Sequence, residues 1–168
     1  MDTDHKCIKN ILLVEDDPKD AELTLIALDE HHLASRVEVV CDGAEALDFL
    51  YRRGKYKMRG STNPVVVLLD LKMPKVNGLE VLKNIKSDAD LKVIPVVVLS
   101  SSRETPDLVE CYKHGVNAYV VKPVDFAEFM KAVKQLGIFW AAINEPPPTT
   151  LAEKADVEND GELPVKKN

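Results

Sequence analysis

Residues 65–78 read VVVLLDLKMPKVNG, and this stretch decides the fold. Five apolar residues, Val65 to Leu69, run into Asp70; Pro74 and Gly78 then frame a turn, and Leu79, Leu82 and Ile85 begin a helical stripe. An apolar run without alternation reads as a strand buried on both faces, as in parallel sheets covered by helices. The same event occurs three more times. Ile11–Val14 runs into Glu15-Asp16-Asp17, Val96–Leu99 into Ser100, and Tyr119–Val121 into Lys122-Pro123. In a parallel sheet all strands end on one edge, where ligands of open α/β folds bind. Glu15, Asp16, Asp70, Ser100 and Lys122 are therefore expected to converge. Packed carboxylates need a cation, and three of them beside a lysine suit a Mg²⁺ and phosphoryl site.

Between the strand-like runs lie helical stretches. Pro18 suits a first helical turn, with Asp16 or Asp17 as its cap. Ala21, Leu25 and Leu28 then form an apolar face that Leu23 and Ile26 widen. Val37, Val39 and Val40 mark a further strand, and Asp42-Gly43 opens a helix whose Ala44, Leu47 and Leu50 share a face. Residues 52–63 (RRGKYKMRGSTN) are basic and lack apolar period, so they read as a loop. That loop is either a solvated connection or a contact for an acidic patch on a partner. Glu104-Thr105-Pro106 opens a fourth helix that Gly115 ends. A last helix carries Phe126, Phe129, Met130, Val133, Leu136 and Trp140 at helical spacing, with Ile143 beyond. From Glu145 the composition turns to proline and polar or acidic residues, which predicts a domain over 8–144 and a disordered tail over 145–168.

The chain has 168 residues, enough for one well-filled core. Its 22 Lys and Arg against 28 Asp and Glu, a formal charge of −6, argue against a dedicated nucleic-acid surface. Cys7, Cys41 and Cys111 are odd in number and form no C-x-x-C pair, which fits free thiols in a reducing cytoplasm, with Cys41 as a small core residue. No apolar stretch is long enough for a membrane span, and Met1 to Asn10 does not read as a signal peptide. The expectation is a cytoplasmic protein that acts on neither membrane nor nucleic acid.

The segments LLVEDD, LLDLKMPKVNG, VVVLSSS and YVVKPV, with 30 residues from Asp70 to Ser100 and 22 from Ser100 to Lys122, resemble the receiver domain of two-component response regulators. The resemblance covers roughly residues 8 to 140. LKVIPVVVLSSS and LGIFW look most like the small stand-alone regulators associated with phytochrome-type histidine kinases. The resemblance implies a doubly wound, flavodoxin-like α/β fold with five parallel strands in the order 2-1-3-4-5. It also implies a Mg²⁺-dependent phosphoacceptor, Asp70, that takes its phosphoryl group from a histidine kinase, with a phytochrome kinase suggested by the subfamily. The spacing from Asp16 to Asp70 is longer than in a minimal receiver, and the loop over 52–63 is the expected insertion.

By the same resemblance, Asp16 and Asp70 ligate Mg²⁺ directly, Glu15 through water, and the backbone carbonyl of Lys72 supplies a further oxygen. Lys122 pairs with a phosphoryl oxygen, its bond to Pro123 being cis in the family. Ser100 donates its hydroxyl to the phosphoryl group, and Tyr119 either swings between outward and inward rotamers as Ser100 moves or is simply an amphipathic edge residue. Lys72 and Ser102, two residues beyond Asp70 and Ser100, flank the path of hydrolytic water. Phytochrome-associated relatives dimerise through the last helix, so Phe126 and Trp140 are the expected homodimer contacts. Each residue has a plainer role to set beside this one: a helix cap for Asp16, a surface lysine for Lys122, a self-bonded serine for Ser100. An Asp-nucleophile phosphatase of the haloacid-dehalogenase type needs a general acid where Lys72 stands. A flavodoxin needs a phosphate loop where Glu15-Asp16-Asp17 would repel the anion. A receiver that only dimerises would have no need of the full reactive set. The leading expectation is a signalling switch rather than an enzyme.

Overall fold

In the computed structural model, residues 10–147 are described. Five parallel strands, β1 (Ile11–Val14), β2 (Val37–Val40), β3 (Val66–Leu69), β4 (Val96–Ser100) and β5 (Ala118–Val121), form one sheet in the order β2-β1-β3-β4-β5. Five helices alternate with them: α1 (Pro18–Asp29), α2 (Gly43–Leu50), α3 (Gly78–Ser87), α4 (Thr105–Lys113) and α5 (Phe126–Ile138). Strand side chains alternate between faces. Leu12, Val14, Val67, Leu69, Val96 and Val98 pack with α2, α3 and Cys111 of α4; Ile11, Leu13, Val66, Leu68, Val97 and Leu99 pack with α1 and α5. The sheet is thus covered on both sides, as its unalternated runs require.

Register fixes the site. Val14 lies opposite Val40 and Leu69, so Glu15 and Asp70 leave adjacent strands at one level, and Asp70 donates its N–H to the Val14 carbonyl at 3.0 Å. β4 and β5 end alongside, with Ser100 paired to Val121. The expected convergence therefore follows from topology. Asp17, not Asp16, caps α1, its carboxylate accepting from the N–H of Lys19 at 2.8 Å and that of Asp20 at 3.4 Å.

Several expectations need correction. The buried face of α1 is Ala21, Thr24, Ala27 and Leu28, while Ile26 is exposed. The reason is proximity: a Cβ on Gly137 of α5 would sit 2.3 Å from Leu28 Cδ2, so the two helices meet closely through small residues. In α2 the buried set is Gly43, Ala46, Phe49 and Leu50, one step round from Ala44 and Leu47. Cys41 is exposed, because it follows an edge strand; Cys111 is the buried thiol. The loop over 52–63 is not wholly irregular. Gly54–Tyr56 makes a 3₁₀ turn, the Tyr56 hydroxyl donates to Glu45 at 3.1 Å, and the Arg59 guanidinium stacks 4.2 Å from the Phe49 ring centroid.

α5 continues into a π-helical turn over Phe139–Ile143, closed by Asn144 donating to the Phe139 carbonyl at 2.7 Å. Phe129, Val133, Gly137 and Ala141 face the core; Phe126, Phe139 and Ile143 are exposed; Trp140 is half-buried against its own domain, edge-to-face with Phe139. No described helix is long and apolar enough to cross a membrane. Cys7 and most of the expected tail, from residue 148, lie outside the described residues.

Candidate functional site

At the carboxyl edge of the sheet, Glu15 is 4 % exposed and Asp70 is 8 % exposed, while Asp16 is open to solvent. One carboxylate oxygen from each lies within 4.8 Å of the others. Buried carboxylates at this spacing repel one another unless positive charge intervenes. The side chains present supply part of it. Lys122 Nζ stands 2.7 Å from Glu15 Oε2, 2.7 Å from Asp20 Oδ2 and 3.5 Å from Asp70 Oδ2, with its side chain only 11 % exposed.

Asp20 was not anticipated. It lies in the first turn of α1, where an acidic residue ordinarily needs no explanation beyond the helix dipole. Its four-residue offset from Asp16, toward the same edge, was the available signal. Lys122 reaches the cluster through a trans bond to Pro123, since no described peptide bond is cis. The expected cis kink is thus not found, and Lys122 Nζ meets Glu15, Asp20 and Asp70 with that bond trans.

The charges shift each other. Burial is the main force on Glu15 and lifts its pKa to about 7; the Lys122 hydrogen bond and charge pull it down, and Asp70 adds to the rise. Burial works against the Lys122 charge, but its bonds to Asp20 and Glu15 outweigh that and hold the ammonium above its ordinary range. A three-carboxylate cluster held by one lysine is short of positive charge. Its all-oxygen donor set, partly open through Asp16, fits a hard divalent cation that keeps several waters.

Around the cluster, backbone groups fix Asp70. The Lys72 N–H donates to Asp70 Oδ1 at 3.3 Å, and Gly78 closes behind it, its N–H donating to the Leu71 carbonyl at 2.9 Å. A Cβ on Gly78 would sit 2.1 Å from the Asp70 carbonyl oxygen, so only glycine allows this approach. Lys72 itself is exposed.

Ser100 is fully buried, its Oγ accepting from the Ser102 N–H at 3.2 Å. Ser102, expected beside the path of hydrolytic water, is bonded toward α4. It is buried, its hydroxyl donates to Asp107 Oδ2 at 2.5 Å, and its Oγ accepts from the Glu104 N–H at 3.3 Å, so it serves the entry to α4. Tyr119 is turned inward: its ring packs on the α2–α3 side of the core and its hydroxyl donates to the Ser102 carbonyl at 3.0 Å. Ser100, Ser102 and Tyr119 thus form one chain of contacts that reaches α4 through Asp107. Phe126 and Trp140 lie apart from it, on α5 and its π-helical end.

Residues 11–134 match the family model of the response regulator receiver domain. The chain is 39% identical over 132 residues to the response regulator Rcp1 of Synechocystis, covering 79% of this chain and 88% of that protein. Rcp1 in its Mn²⁺-bound form superposes with a TM-score of 0.78 at 36% identity, over 83% of this chain and 99% of the other. The phosphorylated cyanobacterial phytochrome response regulator RcpA gives 0.78 at 39% identity, with the same coverage of 83% and 99%. The bacteriophytochrome response regulator AtBRR is 58% identical, with a TM-score of 0.65 over 82% of this chain and 98% of its own.

Proposed function

The chain belongs to the response regulator receiver family, and from that premise we propose that Asp70 is its phosphoacceptor, that Mg²⁺ is its metal and that a phytochrome-type histidine kinase is its donor. As a receiver it is not a classical enzyme. The observation that carries the proposal is the meeting of Glu15, Asp16 and Asp70 within 4.8 Å, with the Lys122 ammonium 3.5 Å from Asp70. Capping alone would be an expensive reason to bury the Asp70 carboxylate.

Asp16, Asp70 and the Lys72 carbonyl would hold Mg²⁺, with Glu15 acting through water. The ion supplies neutralisation of charge on the equatorial oxygens of the transferring group. An Asp70 carboxylate oxygen attacks the phosphorus of a phosphohistidine; the new P–O bond forms as the P–N bond breaks, and the imidazole leaves with the nitrogen's electron pair. Lys122 exchanges part of its contact with Glu15 and Asp20 for a phosphoryl oxygen. Ser100 turns its hydroxyl toward the same group, and Tyr119, already inward, closes over the space. The α4–β5–α5 face then presents the signal to a protein partner, within a receiver of residues 8–144 followed by a polar tail.

The donor proposal is supported by likeness to regulators described as phytochrome response regulators. Exposed Phe126 on α5, with Phe139 and Ile143 just beyond its end, supports self-association through this segment. Intact-mass measurement after incubation with acetyl phosphate and Mg²⁺ tests the central step. One added phosphate is expected, absent from Asp70→Asn. Addition that persists in Asp70→Asn would move the acceptor elsewhere.

A further inference from the structure

The place of Asp20 in α1 does not account for where its carboxylate goes. It is the third residue of the helix, where a carboxylate commonly reaches back to the N–H of the capping residue. Here that donor is already engaged, the Asp17 N–H donating to Glu15 Oε1 at 3.2 Å. The Asp20 backbone is engaged locally, its N–H with Asp17 and its carbonyl with the buried Thr24 hydroxyl. Its side chain instead meets the residue that follows β5, accepting from Lys122 Nζ at 2.7 Å.

Lys122 divides its charge unequally. The ammonium stands 2.7 Å from both Glu15 and Asp20 but 3.5 Å from Asp70, beyond a good charge-assisted hydrogen bond. The two short contacts therefore hold it closer to Glu15 and Asp20 than to the acceptor carboxylate. They differ in what else they serve. In the metal site proposed above, Asp16, Asp70 and Glu15 all attend the ion, and Asp20 has no part in that set. It remains the carboxylate able to keep the lysine when the others are engaged. Its side chain is 37 % exposed against 3 % for Glu15, so water can solvate Asp20 when the lysine leaves it.

We infer that Asp20 is a positioning residue acting through Lys122: it holds the ammonium back from Asp70 in the unmodified protein, and a phosphoryl group on Asp70 must displace it. The inference rests on Asp70 being the phosphoacceptor and makes Asp20 the residue that sets how readily that state is reached. The Lys122–Asp20 contact belongs to the unmodified state, so its loss favours the phosphoryl-bound one. A carboxylate that only shaped the site would weaken phosphoryl binding when lost, the opposite sign.

The test titrates beryllium fluoride, a mimic of the transferred phosphoryl group, into the full chain at saturating Mg²⁺ and reads the dissociation constant by calorimetry. Asp20→Asn keeps the side chain's size and removes its charge. It should bind about three- to tenfold more tightly than wild type, the scale of a partly exposed charge-assisted hydrogen bond. Asp20→Glu, which restores the carboxylate, should bind as wild type does. The gain should persist in about 1 M salt, where the Debye length is about 3 Å and more distant repulsion is screened. Equal or weaker binding by Asp20→Asn, or a gain lost in salt, overturns the inference and leaves the phosphoacceptor reading standing. A wild type that binds no beryllium fluoride overturns both.

Discussion

Glu15 is the residue on which metal, proton and lysine compete. Its folded pKa of about 7 lies above the ordinary 4.5, with burial as the leading cause. Without metal, the folded protein therefore holds a proton between these values that the unfolded chain releases. The contribution to stability is full below the lower value and is lost as pH rises through the upper one. Lys122 stays protonated across this window, its own pKa being raised. Metal-free protein should thus lose melting temperature from about pH 5 to about pH 8, and Glu15→Gln should flatten that slope. Mg²⁺ displaces the same proton, so its apparent affinity should climb over the same range. At a hundredfold excess over Kd the ion should stabilise wild type by about 2.7 kcal/mol, and Asp16→Ala should lose most of this. A melting temperature indifferent to Mg²⁺ at every pH would remove the metal site as drawn. Lys72 supports a second prediction. Exposed and two residues past Asp70, its long side chain can lie across the path of in-line water. Lys72→Ala should shorten the aspartyl-phosphate half-life several-fold; an equal or longer half-life in a radiolabel chase would discard the mechanism.

Among the elements, the α1–α5 pair was the least legible. Periodicity alone favours Leu25 and Ile26 as core residues, yet the buried face is Ala21, Thr24, Ala27 and Leu28. Helices brought close together bury small residues, and which face is small cannot be weighed until the partner helix is known. Gly137 marks the closest approach, its hydrogen pointing at Leu28 and Leu33. Gly137→Val should cost about 1–3 kcal/mol in denaturant unfolding, as overpacking does, while leaving Asp70 phosphorylatable. An unchanged midpoint would mean that the helices separate freely. The same separation of face from function holds for α5. Its inward positions are core, and the apolar surplus expected from sequence resides in Phe126, Phe139 and Ile143 rather than chiefly in Trp140.

For the whole molecule, that surplus predicts self-association. Phe126 opens α5 while Phe139 and Ile143 follow its end, and exposed large apolar side chains shared by one element mark interaction surfaces more often than singly scattered ones do. Sedimentation at tens of micromolar should give a dimer, and Phe139→Ala should shift it toward monomer. Trp140→Ala should act more weakly, since much of that ring already packs on its own domain. A wild type that stays monomeric with and without phosphorylation would assign the strip to another partner.

The strands, their order of appearance and the five residues at their ends were determined by sequence alone, because unbroken β-branched runs can be satisfied only inside a covered sheet and every parallel strand must end on the same edge. Asp70 was readable as a functional carboxylate because five apolar residues lead into it. Tertiary structure alone decided which acidic residue completes the Lys122 contacts, since Asp20 reaches the site from a different strand–helix unit than Lys122 does. It alone redirected Ser102 to Asp107 and turned Tyr119 inward. It also converted a loop that reads as solvated into one that fixes Arg59 over Phe49. Local pattern records where a side chain must be buried or exposed; which distant group meets it is set by strand order and helix approach, which no local pattern contains.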